Sequence, residues 1–156
     1  MDISLRNPAE LASRLELAAP ERLLLVDLPD SLVALAASAR QGRPPAETAQ
    51  ADRIRSVKQN FDGILIWREE RAGSQALLEH AMKRLDPGGS LWVIVALRKI
   101  TGLKTPASHR LDRDDLVKAF AGQSRVPGRE VRVTPWHVAY RIELLNRPVS
   151  PANQIF

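Results

Sequence analysis

The sequence predicts a three-layer α/β domain, with helices packed on a mostly parallel sheet that ends in an antiparallel hairpin. Three observations predict it. Residues 22–27, 61–67 and 90–97 are near-continuous apolar runs, as strands buried on both faces are. Residues 74–85, between the last two, carry an apolar stripe at helical spacing, and such a strand-helix-strand unit crosses over right-handedly with its strands parallel. Residues 130–133 and 136–144 alternate with period two, which marks a terminal pair of antiparallel strands.

Each element has its local reason. Asn7 can cap a first helix, with Pro8 in its first turn and Glu10 reaching back. Leu11, Leu15 and Ala18 form its apolar stripe before Pro20 stops it. The strand at 22–27 leads through Leu28-Pro29 into a helix running from Asp30 to about Arg40. Gln41-Gly42-Arg43-Pro44-Pro45 is a break, residues 46–51 are small and polar, and 53–57 read as a short strand or the end of a helix. A helix beginning at Gly73 or Ser74 buries Leu77, Leu78, Ala81, Met82 and Leu85, and Asp86-Pro87-Gly88-Gly89 stops it. A long connection from 98 to about 111 precedes a helix at 112–121 whose Leu116, Val117 and Phe120 face inward. Gly122 and Pro127-Gly128 mark its exit, and Thr134-Pro135 joins the last two strands. Residues 1–146 thus read as one α/β domain, and 147–156, with two prolines, as a C-terminal tail along the surface.

Composition narrows the function classes. With 156 residues, 44% hydrophobic and 26% charged, the chain has the make-up of a globular domain. Its longest apolar runs, 64–67 and 91–97, fall far short of the roughly 20 residues of a membrane span. Met1-Asp2-Ile3-Ser4-Leu5-Arg6 lacks the apolar segment of a signal peptide, so a cytoplasmic location is expected. Cysteine is absent, which excludes disulfides, thiolate metal sites and cysteine nucleophiles. His80, His109 and His137 show no ligand spacing, so no metal is expected. Ser90 sits in no nucleophile elbow, and Glu69-Glu70 read as adjacent solvated carboxylates.

The net charge of +5 is concentrated. Residues 98–132 hold nine bases and four acids, while the rest of the chain carries fourteen of each. A field of that kind attracts phosphates and polyanions. The sequence pI of about 10.2 admits weak, sequence-blind nucleic-acid binding, but no nucleic-acid motif accompanies it. Aromatic residues, at 4%, supply few stacking platforms.

Phe61-Asp62-Gly63-Ile64-Leu65, the helix at 76–85 and Asp86-Pro87-Gly88-Gly89-Ser90-Leu91-Trp92-Val93 resemble the second half of class I methyltransferase domains. In that family an aromatic-Asp pair starts strand four, a helix ending in Pro-Gly-Gly feeds strand five, and a helix and two antiparallel strands follow. The resemblance covers roughly residues 20–145 and implies a Rossmann-like fold. A narrower one rests on Val26-Asp27-Leu28-Pro29-Asp30, Leu91-Trp92-Val93, Gly102-Leu103-Lys104-Thr105, Arg113-Asp114 and Trp136. Those segments look like small bacterial proteins, functionally unassigned, that resemble reduced methyltransferase domains. Pro106-Ala107-Ser108-His109-Arg110 departs from that pattern.

The family resemblance implies an acidic residue and a glycine-rich turn after strand one, for S-adenosylmethionine. Here Asp27 is present, but Leu28-Pro29 stands where the glycines would. Proline has no amide hydrogen and a fixed φ, so the turn is expected to lack donors and close approach. Asp30 at the following helix start is expected to repel an anion. The leading expectation is therefore a non-catalytic module with no cofactor, binding an anionic ligand or partner at the carboxyl edge of the sheet. Its expected ligand-binding residues are Asp27, Trp67, Arg68, Arg98, Lys99, Lys104 and Thr105. The alternative is a methyltransferase with a rebuilt turn, in which Asp27 holds the cofactor's amine or ribose and Trp67 flanks the methyl group. A third is a homo-oligomer or homodimer formed through the final strand or the tail.

Overall fold

The computed structural model describes residues 5, 7–97, 103 and 105–144. The elements in chain order are α1 (Pro8–Arg14), β1 (Leu23–Val26), α2 (Asp30–Ala39), β2 (Glu47–Ala49), β3 (Phe61–Trp67), α3 (Ser74–Arg84), β4 (Leu85–Ala96), α4 (Arg113–Phe120), β5 (Arg125–Thr134) and β6 (His137–Leu144). Short 3-10 segments at Ala51–Ser56, Ala107–His109 and Ala121–Gln123 join some of them. The six strands form one sheet in the order β2-β1-β3-β4-β6-β5. β2, β1, β3 and β4 are parallel, and β6 and β5 are antiparallel. The expected three-layer, Rossmann-like plan is the one observed.

Strand geometry splits the core in two, because successive side chains point to opposite faces. Leu24, Val26, Ile64, Ile66, Val93 and Val95 face a layer made by α3, α4 and the turn at Ala51–Ser56. Leu23, Leu25, Leu65, Trp92 and Ile94 face α1 and α2. Asp62 closes the amino end. Its carboxylate accepts hydrogen bonds from the Glu21 and Arg22 amides at 2.9 and 2.7 Å. Burial alone would raise its pKa, but these amide bonds outweigh that and hold it below the ordinary value. Beside it, a Cβ on Gly63 would collide with the Pro20 ring, so the chain needs glycine there for close approach. Gly63→Ala is expected to cost about 1–3 kcal/mol, typical of overpacking, read as a lower melting temperature.

Several local expectations shift. Asn7 adopts a left-handed backbone (φ 40°) and makes no capping bond; its amide instead donates to Glu10 Oε1 at 3.4 Å. Residues 47–49 are a strand, an edge strand open to solvent, which explains why no apolar run announced it. Residues 53–57 fall largely within a 3-10 turn. β4 starts at Leu85, because Phe61 pairs with Leu85 and Gly63 with Ser90, and the residues between bulge out. Pro127-Gly128 lies inside β5 at a second register shift, a position an edge strand tolerates. β6 is paired on both sides, by β4 and β5. The tail at 147–156 lies outside the described residues.

Candidate functional site

At the carboxyl end of β1 the backbone must turn sharply into α2. Asp27 makes that turn by taking a left-handed conformation, φ 55°. Aspartate is one of the few residues besides glycine that visits this region at modest cost. Pro29 then adopts φ −62° and ψ 156° and its carbonyl accepts from Leu32 and Val33, so it starts α2 without strain. Asp27 also ties two strands together. Its amide donates to the Ala49 carbonyl at 3.0 Å, and its Oδ2 accepts from the Ala51 amide at 3.1 Å. Its Oδ1 has no hydrogen-bond partner among the described residues.

The result is a cleft of about 960 Å³ at the carboxyl ends of β1 and β2. Asp27, Thr48, Gln50 and Ser56 supply its polar wall, and Val33 and Val57 part of its apolar wall. That volume lies at the upper end of small-molecule sites, roughly 300–1,000 Å³.

A second cluster sits further along the same edge. Trp67 ends β3, and its ring meets His137 at 4.2 Å between centroids. His137, 3% exposed, pairs through Nε2 with Glu69 Oε2 at 2.7 Å and through Nδ1 with Thr134 Oγ1 at 2.9 Å. Thr134 Oγ1 accepts from the Trp136 amide at 2.9 Å, and Thr105 Oγ1 donates to Glu69 Oε1 at 3.5 Å. A ring that donates Nε2–H to the carboxylate and accepts the Thr134 hydroxyl at Nδ1 satisfies both contacts. The hydrogen bond from His137 lowers the Glu69 pKa most; burial opposes it, and Thr105 and Arg110 reinforce it. Buried Arg110 donates to the Thr105 and Leu97 carbonyls, so this network also fastens the segment around Thr105 to the sheet.

The residues singled out from the sequence therefore separate. Asp27 borders the large cleft, whereas Trp67 and Thr105 belong to the Glu69–His137 cluster. Arg68 donates to the Glu70 and Ala72 carbonyls and lines a smaller groove with Arg55. Arg98, Lys99 and Lys104 lie outside the described residues. Glu69, which reads from the sequence as a solvated carboxylate, is half-buried and hydrogen-bonded. His137, Thr134, Thr48, Gln50 and Ser56 were not legible as site residues. The one available signal was a histidine on the inward face of an alternating strand. Among the described residues no group of three or more His, Asp or Glu could hold a metal ion. No described helix is long and apolar enough to cross a membrane.

No protein-family model matches the chain, and no curated protein matches it in sequence. Solved structures do match in fold. A provisionally assigned type 11 methyltransferase from Sulfolobus solfataricus aligns with a TM-score of 0.58 at 15% identity, over 94% of this chain and 97% of its own. A SAM-dependent methyltransferase from Aquifex aeolicus aligns at 0.56 and 14% identity, over 88% and 89%. Magnesium protoporphyrin IX methyltransferase from Synechocystis PCC 6803, solved with bound SAH, aligns at 0.55 and 10% identity, over 88% and 80%. The fold is that of a class I methyltransferase-like domain. This likeness corrects the expectation of no cofactor, since the same fold holds SAH in the Synechocystis enzyme. The backbone turn itself is made by Asp27, which takes the left-handed conformation one residue before Leu28-Pro29.

Proposed function

We propose that this chain binds an S-adenosyl cofactor in the Asp27 cleft and acts as a S-adenosylmethionine-dependent methyltransferase with a rebuilt turn. The observation that carries this reading is the left-handed Asp27 at the end of β1, with one carboxylate oxygen open beside a cleft of about 960 Å³. A carboxylate accepts from ribose hydroxyls or an ammonium group, and such charge-assisted bonds are the stronger kind. Thr48, Gln50 and Ser56 add neutral donors and acceptors, while Val33 and Val57 offer apolar surface to a purine. The cleft also carries Asp30 near the start of α2, so two carboxylates stand against one guanidinium, Arg53. That balance favours a cationic sulfonium ligand over a nucleotide, whose phosphates would meet Asp30 at the helix N-terminus.

When bound, such a cofactor supplies an electrophilic methyl group. The acceptor would then approach along the carboxyl edge, where the half-buried Glu69 carboxylate and the exposed Trp136 stand. Titration calorimetry with S-adenosylhomocysteine tests the reading, with ADP as the control. Heat of binding with the first and none with the second is expected; no heat from S-adenosylhomocysteine at millimolar concentration would rule it out.

A further inference from the structure

Several surface cations are held by acids. Arg14, Arg22, Arg43, Arg71, Arg129 and Arg141 all form ion pairs. One face differs. Arg53, Arg55 and Lys58, on and after the Ala51–Ser56 turn, come alongside Lys83 and Arg84 at the end of α3, and among the described residues none of the five forms an ion pair. The two segments that supply them, 53–58 and 80–84, contain no acid.

Their juxtaposition is tertiary. Arg84 Nη1 donates to the Lys58 carbonyl at 2.8 Å, which pins the end of α3 to the chain entering β3. Ile54 packs in the same core cluster as Leu77 and Leu78, leaving Arg53, Arg55, Lys58 and Lys83 exposed. Arg53, which shares the cleft with Asp27 and Asp30, marks one end of the track, and the track continues past a groove of about 240 Å³ lined by Asp52, Arg55 and Arg68. His80 lies among these charges: its pKa is lowered first by burial, then by Arg84, Lys83, Arg55 and Lys58.

We infer that this track, from Arg53 through Arg55 and Lys58 to Lys83 and Arg84, is a docking surface for the phosphodiester backbone of a nucleic acid. Unpaired cations in a row release counterions when they meet phosphates, and that gain needs no aromatic or apolar anchor. A protein interface centres on buried aromatic or apolar residues, which this track lacks. Among the described residues the exposed large hydrophobics, Trp136 and Leu144, lie instead on the β5–β6 hairpin. With no aromatic side chain on the track, contact is to the backbone, and a duplex suits it better than stacked single-strand bases.

Fluorescence anisotropy of labelled RNA and DNA duplexes, at several salt concentrations and without any adenosyl ligand, tests this independently of the cofactor reading. Wild type is expected to bind with a steep salt dependence. Arg55→Gln/Lys58→Gln/Lys83→Gln, three exposed substitutions that leave the core alone, is expected to weaken binding on the order of a hundredfold at 0.1 M salt and to lower the log–log slope by about two to three. Arg113→Gln/Lys118→Gln/Arg132→Gln removes the same charge from the basic stretch of sequence and is expected to change binding less than threefold. Equal loss in both variants overturns the inference, as does wild-type binding that ignores salt. Capture of wild type by anionic vesicles or polyglutamate but not by either duplex also overturns it.

Discussion

Asp27→Asn is expected to leave the fold intact and to cut S-adenosylhomocysteine affinity at least tenfold. The two halves of this result have separate causes. Asparagine tolerates the left-handed conformation that position 27 holds at φ 55°, so the exit from β1 survives. It lacks the charge that makes a carboxylate a strong acceptor, and a hydrogen bond to a charged group contributes about 1.5–3 kcal/mol. Calorimetry of the variant beside wild type reads the affinity, and thermal unfolding reads the fold. Asp27→Val provides the contrast, since a β-branched residue strains in that conformation and should lower stability by about 1–2 kcal/mol before any ligand is added. An Asp27→Asn protein that binds as tightly as wild type would show that the carboxylate does not hold the ligand.

The second large effect concerns the Glu69–His137 pair. His137→Ala is expected to destabilise the protein by about 3 kcal/mol, from the lost ring contact with Trp67 and the unpartnered Thr134 and Glu69 groups left behind. Glu69→Gln should cost less, about 1–2 kcal/mol, because an amide oxygen can still accept from Nε2–H without the charge. The pH dependence has a definite sign. The folded-state pKa of Glu69 is depressed, so its contribution is fully present above the unfolded glutamate pKa, about 4.3, and is lost as pH falls through the folded value. The stability gap between wild type and Glu69→Gln should therefore be widest near neutral pH and close in acid. Denaturant unfolding at a series of pH values checks this, and a gap that persists unchanged at pH 3 would contradict it.

The centre of the sheet was legible because its signal is local. Residues 64–67 and 91–96 are apolar in succession, as strands buried on both faces are. The helix at 112–121 was expected as well, and the structure adds its capping box, in which Asp112 and Asp115 accept from each other's amides. β2 left no trace, since an edge strand of three residues needs no apolar pattern. The cleft was half legible. Asp27 was singled out, but Thr48, Gln50 and Ser56 come from a stretch with no periodicity, and only the pairing of β2 with β1 brings them beside it.

By itself, the order of residues determined the layered α/β plan and the burial of its central strands, because hydrophobic patterning acts over a few neighbouring positions. It also determined that an aspartate follows the first strand. Tertiary structure decided what that aspartate does, through a backbone angle that the paired strands impose on it. It likewise joined Glu69 to His137 across 68 residues of chain and gathered Arg55, Lys58, Lys83 and Arg84 on one face. Polar pairing of that kind has no local energetic signature: it arises only once register and crossover bring distant groups within hydrogen-bond or Coulomb range.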